Sequence, residues 1–362
     1  MPPRTRFLGG EKKYLRAGIR QMAMVDKVVS FSRVQRSDEV AMGHTILILG
    51  MHRSGTSAMT RVCNLLGTEL GVRLIPPGPF NPKGHWEHGE LLRINRRMLS
   101  VMGASSGFVW PLPKGHLSAQ KAEPLQQMIA EVIGEDFADA PLWGVKDPDM
   151  SRLVPKWLPV LHCQGVTPRF LIMVRHPYEV ADSLSARNSF ATRKSLLLWL
   201  RYSLESEYAT RDCLRSIIIH KELMNDWRAT VARIEGDLRL QFPIRPSIAG
   251  RDIDQFLDKD LHHFQRGSEY ASDSAIGELA LTGYRALMSR NGTSRRVVLD
   301  QVRHTLEDAD TRLAKRRLFS RGTMGDLEKE MLGLYRAEKY KPVLRPAMKV
   351  ARGLAAFVLL LS

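Results

Sequence analysis

The fold can be inferred from Thr45-Ile46-Leu47-Ile48-Leu49-Gly50-Met51-His52-Arg53-Ser54-Gly55-Thr56-Ser57, an apolar run that leads into a glycine-containing loop. Gly50 and Gly55 are separated by four residues, the spacing of a phosphate-binding P-loop, but Thr56 stands where such loops carry lysine. A helix beginning near Ser57 would still offer backbone N–H groups without intrahelical partners and a positive dipole end. The segment predicts a strand, an anion-binding loop and a helix, without the lysine that contacts β- and γ-phosphates.

Short apolar runs alternate with helical patterns after this segment, as in a parallel sheet covered by helices. Strands are predicted at 45–49, 142–145, 170–174 and 216–219, and helices at 57–66, 151–162, 177–187, 196–214 and 224–238. The predicted fold is α/β and P-loop NTPase-like, with three layers around a central parallel sheet and a helical C-terminal extension. The section 74–142 interrupts the alternation, and such insertions commonly build the substrate side of a site.

The composition limits the class of protein and of partner. At 362 residues and 44% hydrophobic content, the chain can bury a large core. Its 54 basic residues exceed its 38 acidic ones, which indicates a polyanionic partner but leaves nucleotides, nucleic acid, acidic glycans and anionic lipids open. Cys63, Cys163 and Cys213 lie far apart, so neither a disulfide framework nor a zinc site is indicated, and a reducing compartment is expected.

A second anion-binding motif is predicted in Phe170-Leu171-Ile172-Met173-Val174-Arg175-His176-Pro177. A buried strand would deliver Arg175 to its C-terminal end, the edge at which open α/β sheets bind ligands. Pro177 suits the first turn of a helix, and Ser183 follows two turns in, so arginine, hydroxyl and helix N-terminus can converge on one phosphate. A kinase would more often place an aspartate there to hold Mg²⁺, so the arginine favours a bare phosphate.

The two motifs together resemble those of sulfotransferases that use 3′-phosphoadenosine 5′-phosphosulfate (PAPS). In that family a [K/R]-S-G-T-[S/T] loop holds the 5′-phosphosulfate, and an arginine followed eight positions later by serine holds the 3′-phosphate. The first pattern is matched by Arg53, Ser54, Gly55, Thr56 and Ser57, and the second by Arg175 with Ser183. The resemblance covers about residues 44 to 265 and is strongest to bacterial carbohydrate-type sulfotransferases.

The resemblance implies an activity and a set of catalytic residues. Asn81-Pro82-Lys83-Gly84-His85-Trp86-Glu87 is similar to the family's Asn-Pro-x-Gly-x-x-Glu segment, whose glutamate is the presumed base, and Lys146-Asp147-Pro148 is similar to its Lys-Asp-Pro. Sulfuryl transfer from PAPS to a hydroxyl of a carbohydrate or glycolipid is therefore expected, by in-line displacement. Glu87 would be the base, and Arg53 and Lys146 would stabilise the departing charge. No metal and no nucleic acid is predicted to take part.

Several interpretations stay open on sequence alone. His85, His88 and Glu90 are alternatives to Glu87 as base, and Trp86 and Trp110 are candidates for stacking on a sugar. Arg187 is interpreted as a residue near a helix C-terminus, where its positive charge interacts favourably with the helix dipole. This interpretation is preferred to a contact between Arg187 and the 3′-phosphate. His220-Lys221 stands where relatives commonly carry a tyrosine and an acidic residue, which leaves the role of that position undefined.

Two other functions remain compatible with the sequence. A nucleotide-dependent kinase with an altered P-loop is disfavoured by Thr56 and Arg175. A membrane-associated binding protein without catalysis is suggested by the basic N-terminus and an apolar tail at 354–361. Each predicts a ligand different from PAPS.

Three regions are predicted: a basic N-terminal extension at 1–42, a sulfotransferase domain at 43–265 and a helical C-terminal region with an apolar tail at 266–362. The extension has nine basic and four acidic residues in an amphipathic helical pattern, which suits either an anionic membrane surface or packing on its own domain. No apolar run of about 18 residues occurs, so a cytoplasmic location is predicted, with peripheral contact to the inner membrane face left open. The oligomeric state is not determined by the sequence.

Overall fold

The computed structural model describes residues 44–79, 81–112, 119–257, 272 and 274–317, excluding the side chains of residue 119 and of residues 313–317. The basic extension at 1–42 and the apolar tail at 354–361 lie outside the described residues. The predicted boundary between 265 and 266 also falls outside them.

A parallel sheet of four strands lies at the centre of the described chain. The strands are β1 (His44–Leu49), β2 (Leu142–Lys146), β3 (Pro168–Val174) and β4 (Leu214–Ile219), in the order β2-β1-β3-β4. Thr45 pairs with Trp143 on one side of β1 and with Pro168 on the other. The carboxyl ends of all four strands therefore lie at one edge of the sheet, and the predicted α/β fold is confirmed.

Helices connect and cover the strands. Those within the described ranges are α1 (Thr56–Leu65), α2 (Gly89–Val101), α3 (Ala119–Asp136), α4 (Met150–Cys163), α5 (Pro177–Asn188), α6 (Thr192–Ala209), α7 (His220–Asn225), α8 (Trp227–Leu238), α9 (Pro246–Phe256), α10 (Ala275–Met288) and α11 (Gly292–Arg317). Among the helices described, none is both long enough and apolar enough to cross a membrane.

Each face of the sheet has its own hydrophobic core, because successive side chains of a strand point to opposite faces. Leu47 and Leu49 of β1 face a core formed with α2 to α6, α10 and α11. Ile46 and Ile48 face a second core formed with α1, α8 and α9. Helix, sheet and helix make the three predicted layers. The helices α10 and α11 belong to the first core.

Two predicted helices differ from the structure. The helix predicted at 196–214 ends at Ala209, because the chain turns at Thr210 and enters β4 at Leu214. The helix predicted at 224–238 is two helices, separated at Asp226. The side chain of Asp226 accepts a hydrogen bond from the backbone N–H of Ala229 at 2.9 Å and caps α8. The sequence contained a signal for this break, because Asp226 is a favoured N-cap residue within the apolar periodic pattern.

Candidate active site

The glycine-containing loop connects the carboxyl end of β1 to α1. Gly55 is the N-cap of α1 and has a φ of 88°, and no side chain caps the helix. The first amides of α1 are therefore available to an anion, as expected at a helix N-terminus. Among the described residues, the buried Ser54 hydroxyl has no hydrogen-bond partner. An unsatisfied hydroxyl beside uncapped amides fits a phosphate or sulfate group.

Both loop glycines are required by close approaches of neighbouring atoms. A Cβ on Gly50 would lie 2.6 Å from the carbonyl oxygen of Met173, and one on Gly55 would lie 2.3 Å from Cδ2 of His220. Both glycines also have positive φ, which side chains disfavour. His220, where the sequence departs from the sulfotransferase pattern, is thus placed directly against the anion loop.

The two anion motifs meet at Arg53. Its Nε donates to Oγ of Ser183 at 2.8 Å, although the two residues are 130 positions apart. Arg175 Nη1 donates to the carbonyl oxygen of Arg53 at 3.4 Å, and its Nε donates to Glu179 at 2.8 Å. Burial, followed by the nearby charges of Arg187 and Arg175, lowers the pKa of Arg53. The structure therefore brings together Arg53, Arg175 and Ser183, and it adds Glu179, which the sequence did not identify.

Glu87, Lys146 and Ser57 form a second group at the same sheet edge. Nζ of Lys146 lies 2.5 Å from Oε1 of Glu87 and 3.2 Å from Oγ of Ser57, which links the end of β2 to the first turn of α1. Lys146 and Glu87 are both buried. Burial lowers the pKa of Lys146, and the charge and hydrogen bond of Glu87 oppose that shift. A buried ion pair beside an anion loop is thereby formed from distant parts of the sequence.

The backbone before Glu87 is held in a conformation that costs energy. Trp86 has a φ of 58°, and Gly84, two residues earlier, has a φ of 101°. A non-glycine residue in this region costs on the order of 1–3 kcal/mol and persists only where its surroundings hold it. Ser57 contributes to that hold, since its hydroxyl donates to the carbonyl oxygen of His85 at 3.2 Å. The strained segment directs Glu87 towards Lys146.

Two of the alternative bases have structural partners. His88 lies 2.6 Å from Asp136 through Nε2 and accepts from the N–H of Leu91 through Nδ1, so it caps α2. Glu90 forms an ion pair with Arg93 one turn along the same helix. His85 remains within electrostatic range of Glu87, and burial lowers its pKa. Glu87 and His85 are the titratable side chains of the 81–90 segment placed beside the loop.

Arg187 is a candidate that the sequence interpretation did not favour. It lies one turn after Ser183 on α5, and residues four apart share a helix face. Burial lowers its pKa and Glu87 raises it, while its own charge lowers the pKa of Arg53. In the described part of the chain its hydrogen bond is from Nε to Asn188 at 2.6 Å. The guanidinium therefore lies within electrostatic range of Arg53 and Glu87.

Behind the loop, two buried aspartates support it from the end of β2. Asp149 accepts from Tyr202 at 2.7 Å and from Ser106 at 2.6 Å, and it lies 3.2 Å from Nε2 of His52 in the loop. Burial alone would raise its pKa, but these partners, His52 first, outweigh burial and lower it to about 2. Burial and the charge of Asp149 raise the pKa of Asp147 well above its ordinary value.

The tryptophans proposed for sugar stacking are already in contact with the protein. The guanidinium of Arg61 lies 4.5 Å from the ring centre of Trp86. Trp110 is partly buried and packs against the larger core. Each ring therefore has at least part of its surface covered by this chain.

No protein-family model and no curated protein sequence matches the chain. The sulfotransferase domain of the Synechococcus PCC 7002 olefin synthase is similar, with 17% identity, a TM-score of 0.41 and coverage of 68% of this chain and 97% of that one. The sulfotransferase domain of the curacin biosynthetic pathway has 17% identity, a TM-score of 0.37 and coverage of 66% and 96%. Sulfotransferase STF9 from Mycobacterium avium has 15% identity, a TM-score of 0.38 and coverage of 71% and 75%.

Proposed function

We propose that this protein is a sulfotransferase that moves the sulfuryl group of PAPS to an acceptor hydroxyl. The observation that carries the proposal is the 2.8 Å hydrogen bond from Arg53 to Ser183. This bond connects two anion-binding elements. One is the glycine-containing loop with Arg53, and the other is the end of β3 with the helix α5 that carries Ser183. A nucleotide with phosphate on two positions of its ribose fits two neighbouring anion sites. A nucleoside triphosphate, whose charges lie in one chain, does not require the second.

The donor-binding roles follow from the chemistry of each residue. The amides of Gly55, Thr56 and Ser57 and the hydroxyl of Ser54 would hold the 5′-phosphosulfate, since they form an uncapped helix start. Arg175 and Ser183 would hold the 3′-phosphate, with Glu179 exchanging its place on Arg175 for the ligand. When bound, PAPS supplies the sulfuryl group and a nucleotide phosphate that leaves.

Glu87 would accept the proton of the acceptor hydroxyl as that oxygen attacks sulfur. General bases of this kind contribute roughly 10²–10⁴-fold to rate. Lys146 and Arg53 would offset the negative charge on the bridging oxygen, in a buried site where such interactions are strong. Lys146, which contacts both Glu87 and Ser57, would also position the base relative to the loop. In an in-line displacement Glu87 would act at the attacking oxygen and Arg53 at the departing one, with Lys146 between the base and the loop.

The acceptor is proposed to be a carbohydrate or glycolipid. This part of the proposal is supported by the similarity of residues 81–87 to the glutamate segment of carbohydrate-type sulfotransferases. A glycolipid acceptor would lie in a membrane. The basic sequence at 1–42 would then contact the anionic surface of that membrane from the cytoplasm.

Nucleotide preference tests the function. Thermal stabilisation is measured with 3′,5′-adenosine bisphosphate, ADP and ATP with Mg²⁺ at equal concentrations, because ligands that bind the native state raise its melting temperature. We expect the bisphosphate to stabilise most and radiolabelled sulfate to pass from PAPS to a glycan or glycolipid pool. Stronger stabilisation by ATP, with Mg²⁺-dependent ATP turnover, would instead support a kinase. Liposome binding without sulfate transfer would support a binding protein.

A further inference from the structure

A second basic cavity lies along the edge strand of the sheet. It has a volume of about 290 Å³ and is lined by Arg215 and two isoleucines of β4, by Arg233 and Asp237 of α8, and by the α10–α11 connection. Arg290 and Arg295 complete four arginines around one cavity. The residues of the candidate active site, Arg53, Arg175 and Glu87, do not line it.

The carboxylates nearby are shared among these arginines. Glu222 lies 2.8 Å from Arg290 and 3.1 Å from Arg233, so two guanidinium groups share one carboxylate. Asp237 lies 3.6 Å from Arg233, at the outer limit of an ion pair. Arg215 lies 3.1 Å from Glu207. Glu222 therefore holds Arg233 and Arg290 near the cavity. An anionic ligand in the cavity can compete with Glu222 for these two guanidinium groups.

Arg295 makes no ion pair with these acids within the described residues. Within the described residues its hydrogen bond is to the carbonyl oxygen of Ser289, 3.2 Å from Nη1. Burial, followed by the charge of Arg215, lowers the pKa of Arg295, and the charges of Glu207 and Asp237 oppose that shift without reversing it. Partial burial of a guanidinium among other guanidiniums is unfavourable unless an anion accompanies it. The cavity therefore has an electrostatic reason to bind one.

We propose that this cavity binds a small phosphate or sulfate monoester. Planar guanidinium groups recognise such anions with two parallel hydrogen bonds. Known ligand sites occupy roughly 300–1,000 Å³, so this cavity lies at the lower limit and suits a sugar-sized ester better than a nucleotide. Leu287 and Ile217 add an apolar wall for the carbon skeleton of such a ligand. The inference does not depend on the proposed sulfotransferase activity.

Equilibrium dialysis of the full chain tests the site, with radiolabelled inorganic phosphate and glucose 6-phosphate as probes. The number of sites and the dissociation constant are measured for Arg295→Ala and for Arg296→Ala, a matched control because Arg296 is the neighbouring exposed arginine of α11. We expect Arg295→Ala to weaken binding by about tenfold or more, as for loss of a charge-assisted contact, and Arg296→Ala to have little effect. A gain is expected for Glu222→Gln, because Arg233 and Arg290 lose the carboxylate that competes with the probe.

Phosphate could also bind at the proposed donor site, either at the loop amides or at Arg175, and Arg175→Ala tests the second of these positions. Unchanged binding of the probe in both Arg295→Ala and Glu222→Gln would place it outside the cavity and overturn the proposal. Circular dichroism and melting temperature verify that each variant is folded. Where Arg295→Ala is not folded, Arg295→Lys replaces it, since lysine keeps the charge but lacks the fork. Tighter binding in Glu222→Gln, which loss of structure cannot produce, remains the decisive support. Preference for glucose 6-phosphate over inorganic phosphate identifies an ester site, and equal affinity overturns the ester part of the proposal.

Discussion

Lys146 donates to Glu87 at 2.5 Å and to Ser57 at 3.2 Å, so one buried ammonium group connects the candidate base to the anion loop. The three residues come from the end of β2, the 74–142 insertion and the first turn of α1. Removing one member of a buried ion pair leaves the other uncompensated. The effects of these residues on activity should therefore be coupled.

Replacement of the candidate base tests the catalytic role directly. We expect Glu87→Gln to lower turnover by roughly 10²-fold or more, with affinity for 3′,5′-adenosine bisphosphate largely retained. Glu90→Gln is the control, because Glu90 pairs with Arg93 on α2. Steady-state kinetics and calorimetry measure the two quantities. A fully active Glu87→Gln enzyme would transfer the role to His85.

Arg175 is expected to recognise the 3′-phosphate. Arg175→Ala should weaken binding of 3′,5′-adenosine bisphosphate by about tenfold to a hundredfold, the range for loss of hydrogen bonds to a charged group. Binding of adenosine 5′-phosphate, which has no 3′-phosphate, should change little. Calorimetry with both nucleotides measures the difference. Equal losses of affinity for the two nucleotides would show that Arg175 stabilises the fold or the loop and does not contact the 3′-phosphate.

Arg187 is expected to act beside Glu87 rather than at the 3′-phosphate. Arg187→Ala should lower turnover by about tenfold through loss of one positive charge near the reacting group, with smaller effects on nucleotide affinity. Arg96, an exposed arginine of α2, gives the control Arg96→Ala. A purely helix-terminal role would appear as a lower melting temperature without a kinetic change.

The contact between Gly55 and His220 can be tested by stability. Alanine at Gly55 would meet His220 at 2.3 Å and adopt a positive φ, whereas alanine at Gly103 has the same backbone penalty with no atom within 4 Å. Gly103→Ala should cost about 1–2 kcal/mol, the cost of the left-handed conformation, and Gly55→Ala more. Urea unfolding measures both. Adding His220→Ala to Gly55→Ala should recover part of the loss, and no recovery would contradict a steric origin of the glycine requirement.

Asp149 predicts an acid dependence of stability. Its pKa falls from an ordinary 3.8 to about 2 in the folded state, so its charge stabilises the fold above pH 4 and this contribution is lost as the pH falls towards 2. Asp149→Asn should destabilise by about 2 kcal/mol at pH 7, and the difference from the unmodified chain should shrink over that range. Exposed Asp139 provides the control Asp139→Asn. If the stability difference between Asp149→Asn and the unmodified chain did not change with pH, the destabilisation would come from lost hydrogen bonds and not from the charge of Asp149.

The sequence determined the elements that depend on local pattern. Four apolar runs predicted four strands, because a buried parallel strand is apolar along its whole length. Gly50 and Gly55 predicted the anion loop because glycine adopts positive φ without the steric cost that other residues have. The motif of Arg175 and Ser183 was visible because strand end and helix start are close in the chain.

Only the tertiary structure decided which side chains face one another. The approach of Arg53 to Ser183, of Lys146 to Glu87 and of His220 to Gly55 depends on the strand order β2-β1-β3-β4, which no local pattern encodes. Arg187 illustrates the same limit: its sequence position suits a helix end, and its electrostatic neighbours come from other elements. Local sequence fixes backbone conformation through sterics and periodicity, whereas a charge acts through space on whatever the fold brings near it.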